Sequence, residues 1–268
     1  MLASLKQIFR PQAAAAHFPS VPEGERYYVI GDIHGRRDLF ETLIEGVEAD
    51  DVRRGDAAKT TVVLLGDLID RGADSAGVIR AAREWGTRRE VRYLAGNHEE
   101  MFLQSFDDTE MLRHFLKHGG RETVLSYDID LGTYNALTLK ELQDAIHRIV
   151  PMEDREFLRG FEEMIVAGDY LFVHAGIDPS RPVEEQRRSD LLWIRERFLR
   201  HAQPFDHVVV HGHTIFDEVE DRGHRIGIDT GAFRSGRLTA LMLEGHERAY
   251  IQAVDQDGAI RIEHTGGQ

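Results

Sequence analysis

From Arg26 onward the chain repeats one pattern: a short run of β-branched and aromatic residues, then a glycine or histidine beside a polar side chain. Tyr27–Ile30 runs into Gly31-Asp32-Ile33-His34-Gly35, Thr61–Leu65 into Gly66-Asp67, and Val91–Ala95 into Gly96-Asn97-His98. Tyr170–Val173 runs into His174-Ala175-Gly176, and His207–Val210 into His211-Gly212-His213. Apolar runs this short, bounded by glycine and rich in valine and tyrosine, predict buried strands. Helical periodicity separates the first three. Arg37–Val47 places Leu39, Phe40, Leu43, Ile44 and Val47 on one face, and Asp74 offers a cap to a helix over Asp74–Trp85. This alternation predicts parallel strands joined by right-handed crossovers.

The rhythm breaks between Glu99 and Asp169. That stretch is polar and mostly helix-like (Glu110–His118, Leu139–Ile149, Glu153–Phe161), with a break at Gly119-Gly120, and predicts a helical insertion or lid over one edge of the sheet. After His213 the pattern is all-β, with runs at Arg225–Thr230, Arg237–Leu243, Arg248–Val254 and Ala259–His264. Residues 1–25 read as a flexible N-terminal arm and residues 26–268 as a single α/β domain, with 99–169 as its insertion.

Composition narrows the chemistry. The formal net charge of −14 repels nucleic-acid backbones and anionic lipid, so no nucleic-acid polymer is expected as a partner. No run approaches the roughly 18 apolar residues of a membrane span. Cysteine is absent, which excludes disulfides, thiolate zinc sites, iron–sulfur clusters and cysteine nucleophiles, and is compatible with a cytoplasmic location. Any metal chemistry must then use imidazole and oxygen ligands.

Asp32, His34, Asp67, Asn97, His174 and His213 each fall at, or just after, the end of a predicted strand. Ligands of open α/β sheets bind at the carboxyl ends of strands, so five strand ends would deliver six oxygen or imidazole donors to one edge. Two carboxylates, one amide oxygen and three imidazoles suit Mn²⁺, Fe²⁺ or Zn²⁺. Each residue alone is an ordinary turn or structural histidine; six in the same kind of place are not. His211 is expected to support the site by sharing a strand face with His213, Asp229 to hydrogen-bond behind it, and Trp193 to sit in the core. The acidic runs Glu45–Asp51 and Asp217–Asp221 read as solvated faces.

Gly31-Asp32-Ile33-His34-Gly35, Gly66-Asp67-Leu68-Ile69-Asp70-Arg71-Gly72 and Gly96-Asn97-His98-Glu99 resemble, in order and separation, the three signature motifs of the phosphoprotein phosphatases, a family of calcineurin-like metallophosphoesterases. Phe172–Gly176 and Gly212-His213-Thr214 resemble the family's later histidine motifs, and Leu192–Arg197 the tryptophan–arginine segment of its compact bacterial and bacteriophage members. The resemblance spans roughly Arg26 to Ala232 and implies a β-sandwich flanked by helices. It further implies that Asp32, His34 and Asp67 bind one divalent metal, and that Asp67 bridges to a second completed by Asn97, His174 and His213. The two ions, Mn²⁺ first among the candidates, would activate a water for in-line attack on phosphorus.

In the same resemblance His98 is the general acid or leaving-group stabiliser, with Asp70 on its far nitrogen. Arg71, Arg195 and Asn97 would contact the phosphate. Arg195 has a competing reading as a solvated helix residue like Arg197 and Arg200. The expected activity is hydrolysis of phosphoserine or phosphothreonine in proteins, or of a small phosphate ester. The alternative is a nucleotide phosphohydrolase such as the symmetrical dinucleoside tetraphosphatases that share the fold. Those enzymes usually lack an acid at the position of Asp70 and carry proline after Arg-Gly. Asp70-Arg71-Gly72-Ala73 therefore favours the protein phosphatases. The completeness of the motif set argues against a catalytically silent scaffold.

Overall fold

The computed structural model describes residues 18–55 and 59–266. Two sheets stack face to face. The first contains β1 (Glu25–Ile30), β2 (Lys59–Leu64), β3 (Val91–Tyr93), β9 (Arg237–Glu244), β10 (Glu247–Gln256) and β11 (Ala259–Gly266), in the order β11-β10-β9-β1-β2-β3. The second contains β4 (Met164–Ala167), β5 (Tyr170–Val173), β6 (Val208–His211), β7 (Glu220–Asp221) and β8 (Arg225–Gly227), in the order β4-β5-β6-β8-β7. Parallel pairing joins β1, β2 and β3 in one sheet and β5, β6 and β8 in the other; β9 to β11 form an antiparallel meander beside β1.

The period of two in each strand sorts its side chains between two cores. Tyr27, Val29, Val63 and Leu65 meet Tyr170, Phe172, Val208 and Val210 between the sheets. Tyr28, Ile30, Val62 and Leu64 face the helices on the other side, where α1 (Arg37–Arg54) and α2 (Ser75–Gly86) bury Leu39, Phe40, Leu43, Val78, Ile79 and Trp85. Asp74 caps α2 as predicted, its side chain accepting from the Gly77 N–H at 2.8 Å. A third cluster covers the far face of the second sheet, with Leu171, Val173 and Val209 under Leu191 and Phe198.

The region from Glu99 to Asp169 is helical but differs from the predicted lid in two respects. It begins inside α3 (Asn97–Ser105) and continues through α4 (Thr109–Phe115), a π turn at Leu116–Gly120, α5 (Arg121–Leu125), α6 (Leu131–Ala136), α7 (Leu139–Ile149) and α8 (Met152–Arg159). It then ends in β4, an edge strand of the second sheet. Its Phe102, Phe106, Leu112, Phe115, Val124 and Ile146 are buried in the same core as α1 and α2, so these helices are part of the domain's interior. Residues 1–17 of the predicted arm lie outside the described residues. From Ser20 the chain is anchored: the Ser20 N–H donates to the Asp169 carboxylate at 2.9 Å, and Val21 is buried between the sheets.

Candidate metal centre and active site

The carboxyl ends of β1, β2, β3, β5 and β6 converge, and the loops leaving them are unusually bent. Six non-glycine residues among those described have positive φ, and five are His34, Asp67, Asp70, Arg71 and His213. Each such conformation costs on the order of 1–3 kcal/mol and persists only where the surroundings impose it. The bent loops are pinned to one another. The N–H groups of Ile33 and His34 donate to the Asp67 carbonyl at 3.1 and 2.9 Å, and the Gly212 N–H to the His174 carbonyl at 2.8 Å.

Two groups of donor atoms result. His34, Asp67 and His98 present one atom each within 4.8 Å of one another, as do Asp67, His174 and His213, and Asp67 belongs to both. The imidazoles are oriented from behind. His34 Nδ1 donates to the Ile69 carbonyl at 2.7 Å and His174 Nδ1 to the Leu65 carbonyl at 2.9 Å, which leaves each Nε2 unprotonated and turned into the site. Asn97 Oδ1 lies 3.0 Å from His174 Nε2 and 2.8 Å from His213 Nδ1. With His174 neutral, Nε2 and Oδ1 are facing acceptors, an arrangement that a cation between them satisfies.

The electrostatics agree. Burial holds His34 and His174 below the ordinary histidine range, and burial together with His174 takes His213 down to about 2. Asp32 is pushed well up by burial, then by Asp229 and Asp67; burial also takes Asp229 to about 6. Asp67 goes the other way, because the imidazoles of His174, His98, His34 and His213 outweigh its own burial. Neutral imidazoles around buried carboxyls are a donor set for divalent cations of intermediate hardness, and these residues fit such ions.

The Asp32 carboxylate accepts the His213 N–H at 3.0 Å and lies near enough to Asp67 for their charges to repel, while His98 stands with His34 and Asp67 in the first group of donor atoms. His211 does not share the expected face with His213. β6 ends at His211 and the chain turns through a positive φ at His213. The His211 ring instead packs on Phe198 at 5.0 Å, on the outer side of the second sheet. Asp229 holds its own turn, accepting from the Gly231 N–H at 2.9 Å. Trp193 is not core: it is 38% exposed, donates to Glu100 at 2.9 Å and stands 6.4 Å from the His213 ring.

Asp70 Oδ2 lies 2.5 Å from His98 Nδ1, and both residues are buried. Burial alone would lower His98, but Asp67 and Asp70 reverse this and raise it. Arg71 rests on Phe233, its guanidinium carbon 4.8 Å from the ring centre, and forks onto His34 Nε2 at 2.8 Å and His98 Nε2 at 2.9 Å. Arg195 is exposed, its guanidinium makes no hydrogen bond or ion pair among the described residues, and its charge bears on His174 and His213. Arg197 is spoken for by Asp178 and Arg200 by Glu196, which distinguishes Arg195 from both.

Glu99 is a site residue to which the sequence reading gave no role. Its Oε2 accepts from the N–H groups of Asp67 at 2.9 Å and Gly96 at 3.0 Å, and its Oε1 from Leu68 at 2.8 Å. The signal was its place three residues after Gly96, where an acid reaches back to the start of a helix. Gly96 is required beside it, since a Cβ there would lie 2.6 Å from Glu99 Oε2 and against Asp67.

Residues 25–247 match the family model for calcineurin-like phosphoesterases, and the chain belongs to that family. It is 27% identical over 264 residues to the asymmetrical bis(5'-nucleosyl)-tetraphosphatase PrpE of Bacillus velezensis, covering 90% of this chain and 98% of that protein. It is 28% identical over 225 residues to serine/threonine-protein phosphatase 2 of Escherichia coli, covering 79% and 90% respectively. A solved cold-active protein tyrosine phosphatase shares the fold at a TM-score of 0.57 and 19% identity, covering 91% of this chain and 81% of that one. The chain is thus a metallophosphoesterase of the phosphoprotein-phosphatase type, and its fold implies divalent metal ions. No helix among the described residues is long and apolar enough to cross a membrane.

Glu99→Gln places an amide NH₂ against a backbone N–H whichever way the side chain turns. It should destabilise the fold by about 1–3 kcal/mol and weaken divalent-metal binding, as read by denaturant unfolding and calorimetric titration. A variant as stable as the parent would remove Glu99 from the account.

Proposed function

We propose that this chain is a phosphomonoesterase acting on phosphoserine and phosphothreonine in proteins, with two divalent ions, manganese foremost, held by Asp32, His34, Asp67, Asn97, His174 and His213. The observation that carries this reading is the Asp70–His98 pair at 2.5 Å. Hydrolysis of an alkyl phosphate expels a strongly basic alkoxide, which needs a proton as it leaves. A polyphosphate expels a stable anion, which does not. A buried carboxylate on Nδ1 orients the imidazole and raises its basicity, so His98 can carry that proton on Nε2. The bound ions would supply an acidified water and polarise the phosphoryl oxygens.

The remaining work falls to residues of the chain. Arg71 presents its fork between the two histidines, matching two phosphate oxygens bidentately, and its transfer to the substrate frees His98 Nε2 to hold a proton. Arg195 is the uncommitted guanidinium beside His174 and His213, available as a second clamp on the charge that spreads over the phosphoryl group. Together with the ions they offset the negative field of an acidic protein around an anionic substrate. The likeness to PrpE supports a second reading, cleavage of a dinucleoside polyphosphate.

On manganese-loaded protein, phosphoserine and phosphothreonine peptides should be turned over with at least about tenfold higher kcat/KM than diadenosine tetraphosphate, a difference of about 1.4 kcal/mol in transition-state binding. Nucleotide release with slow peptide turnover would favour the second reading. His98→Asn should keep its metal and lose on the order of 10²–10⁴ in rate, most on esters with basic leaving groups. The acid works protonated, so activity should fall as pH rises through the elevated pKa of His98. Asp70→Asn should move that alkaline limb to lower pH; an unmoved limb would assign it to another group.

A further inference from the structure

The segment between α3 and β4 contributes one short stretch to the centre of the site. Thr123 in α5 places its hydroxyl against Asp70 twice. Its Oγ1 lies 2.5 Å from Asp70 Oδ1 and 2.9 Å from the Asp70 backbone N–H. Ser75 closes the ring, with Oγ 2.8 Å from Thr123 Oγ1 and 2.9 Å from the same N–H. The donors can be assigned. A hydroxyl has one proton, so Thr123 donates to the carboxylate and accepts from Ser75 and from the Asp70 N–H. Asp70, Ser75 and Thr123 are all 0% exposed, so water cannot replace a lost donor.

The preceding turn does the same for the neighbouring residue. The Arg71 N–H donates to the Gly119 carbonyl at 3.0 Å. Gly119 has φ +107, which glycine alone adopts readily, and a Cβ there would lie 2.6 Å from Arg71 Cγ and 2.9 Å from its nitrogen. The following helix α5 is docked on α2 through the Ala76 N–H, which donates to Ser126 Oγ at 3.0 Å, and through Val124 in the core. Asp70 and Arg71 both have left-handed backbones (φ 74 and 69), so they need holding from outside their own loop.

We infer that Thr123 and Gly119 are positioning residues for the reaction: the Thr123 hydroxyl sets Asp70 and through it His98, and Gly119 sets Arg71. Neither touches the phosphoryl group. The inference rests on the reading of His98 as proton donor for its kinetic consequence, though not for its structural one. A half-ångström error at such a site costs rate without costing the fold.

Three variants and two readouts test it. Thr123→Val is near-isosteric and removes the hydroxyl; with metal content and melting checked against the parent, kcat should fall about tenfold or more on phenyl phosphate and much less on 4-nitrophenyl phosphate, with KM little changed. Thr123→Ser should recover most of the loss. Gly119→Ala should instead raise KM and the inhibition constant for inorganic phosphate, with the ratio between the two esters as in the parent. In zinc-loaded protein the proton in the short His98–Asp70 bond should give a far-downfield NMR resonance, which Thr123→Val should shift or broaden and Thr123→Ser restore. An unmoved resonance, or serine no better than valine, would overturn the role of Thr123; unchanged phosphate inhibition in Gly119→Ala would overturn that of Gly119. If the resonance moves but the ester ratio does not, Thr123 still sets Asp70 and the proton-donor reading of His98 is what fails.

Discussion

Asp32, Asp67, Asp229 and Glu99 meet at the carboxyl ends of the strands, none more than 2% exposed, and what surrounds them follows from the cost of burying carboxylates. Burial and mutual repulsion push three of the four up, while burial holds His34, His174 and His213 below the ordinary histidine range and Asp67 with Asp70 raises His98. Arg71 lies at the mouth of this group with its fork already on two imidazoles. The donors of the chain go to fixing the acids in place: His213 N–H to Asp32, and three N–H groups to Glu99. A cluster so fixed and so short of positive charge suits cations, in keeping with the divalent ions that the fold implies.

The sandwich exists to hold that cluster rigid. Parallel strands in each sheet bring their ends to one edge, and the two cores on either side of β1 and β2 keep the sheets in register. Left-handed turns at five site residues are the local cost, on the order of 1–3 kcal/mol each, and the interlocked N–H···O=C bonds between the loops oppose their relaxation. Helices α4, α5, α7 and α8 bury side chains in the interior, so the site is supported from the sheet side and from the helix side at once.

Much of this was legible in the sequence, because strand ends announce themselves as apolar runs broken by glycine and a polar residue. Asp67, Asn97, His174 and His213 were placed that way, as were His98, Asp70 and Arg71 through their motif. What the sequence left out depends on contacts distant along the chain. Glu99 is read by N–H groups about 30 residues earlier, and Thr123 by an aspartate 53 residues earlier. Trp193 prefers the rim because its indole N–H finds Glu100 there, and His211 turns away because β6 ends one residue before the glycine that redirects the chain. The pairing of β9 beside β1 is set by the burial of Leu241 and Leu243 between the sheets, a tertiary fact with no local signal.

Whether the buried acids hold divalent ions is measured directly by calorimetric titration of metal-stripped protein with Mn²⁺, alongside Asp67→Asn. The parent should bind two ions per chain and melt at a higher temperature when loaded, and Asp67→Asn, which removes the donor shared by both groups, should lose at least one ion and most of the gain. Binding of two ions to Asp67→Asn with parental affinity, or no binding to the parent at millimolar metal, would contradict it.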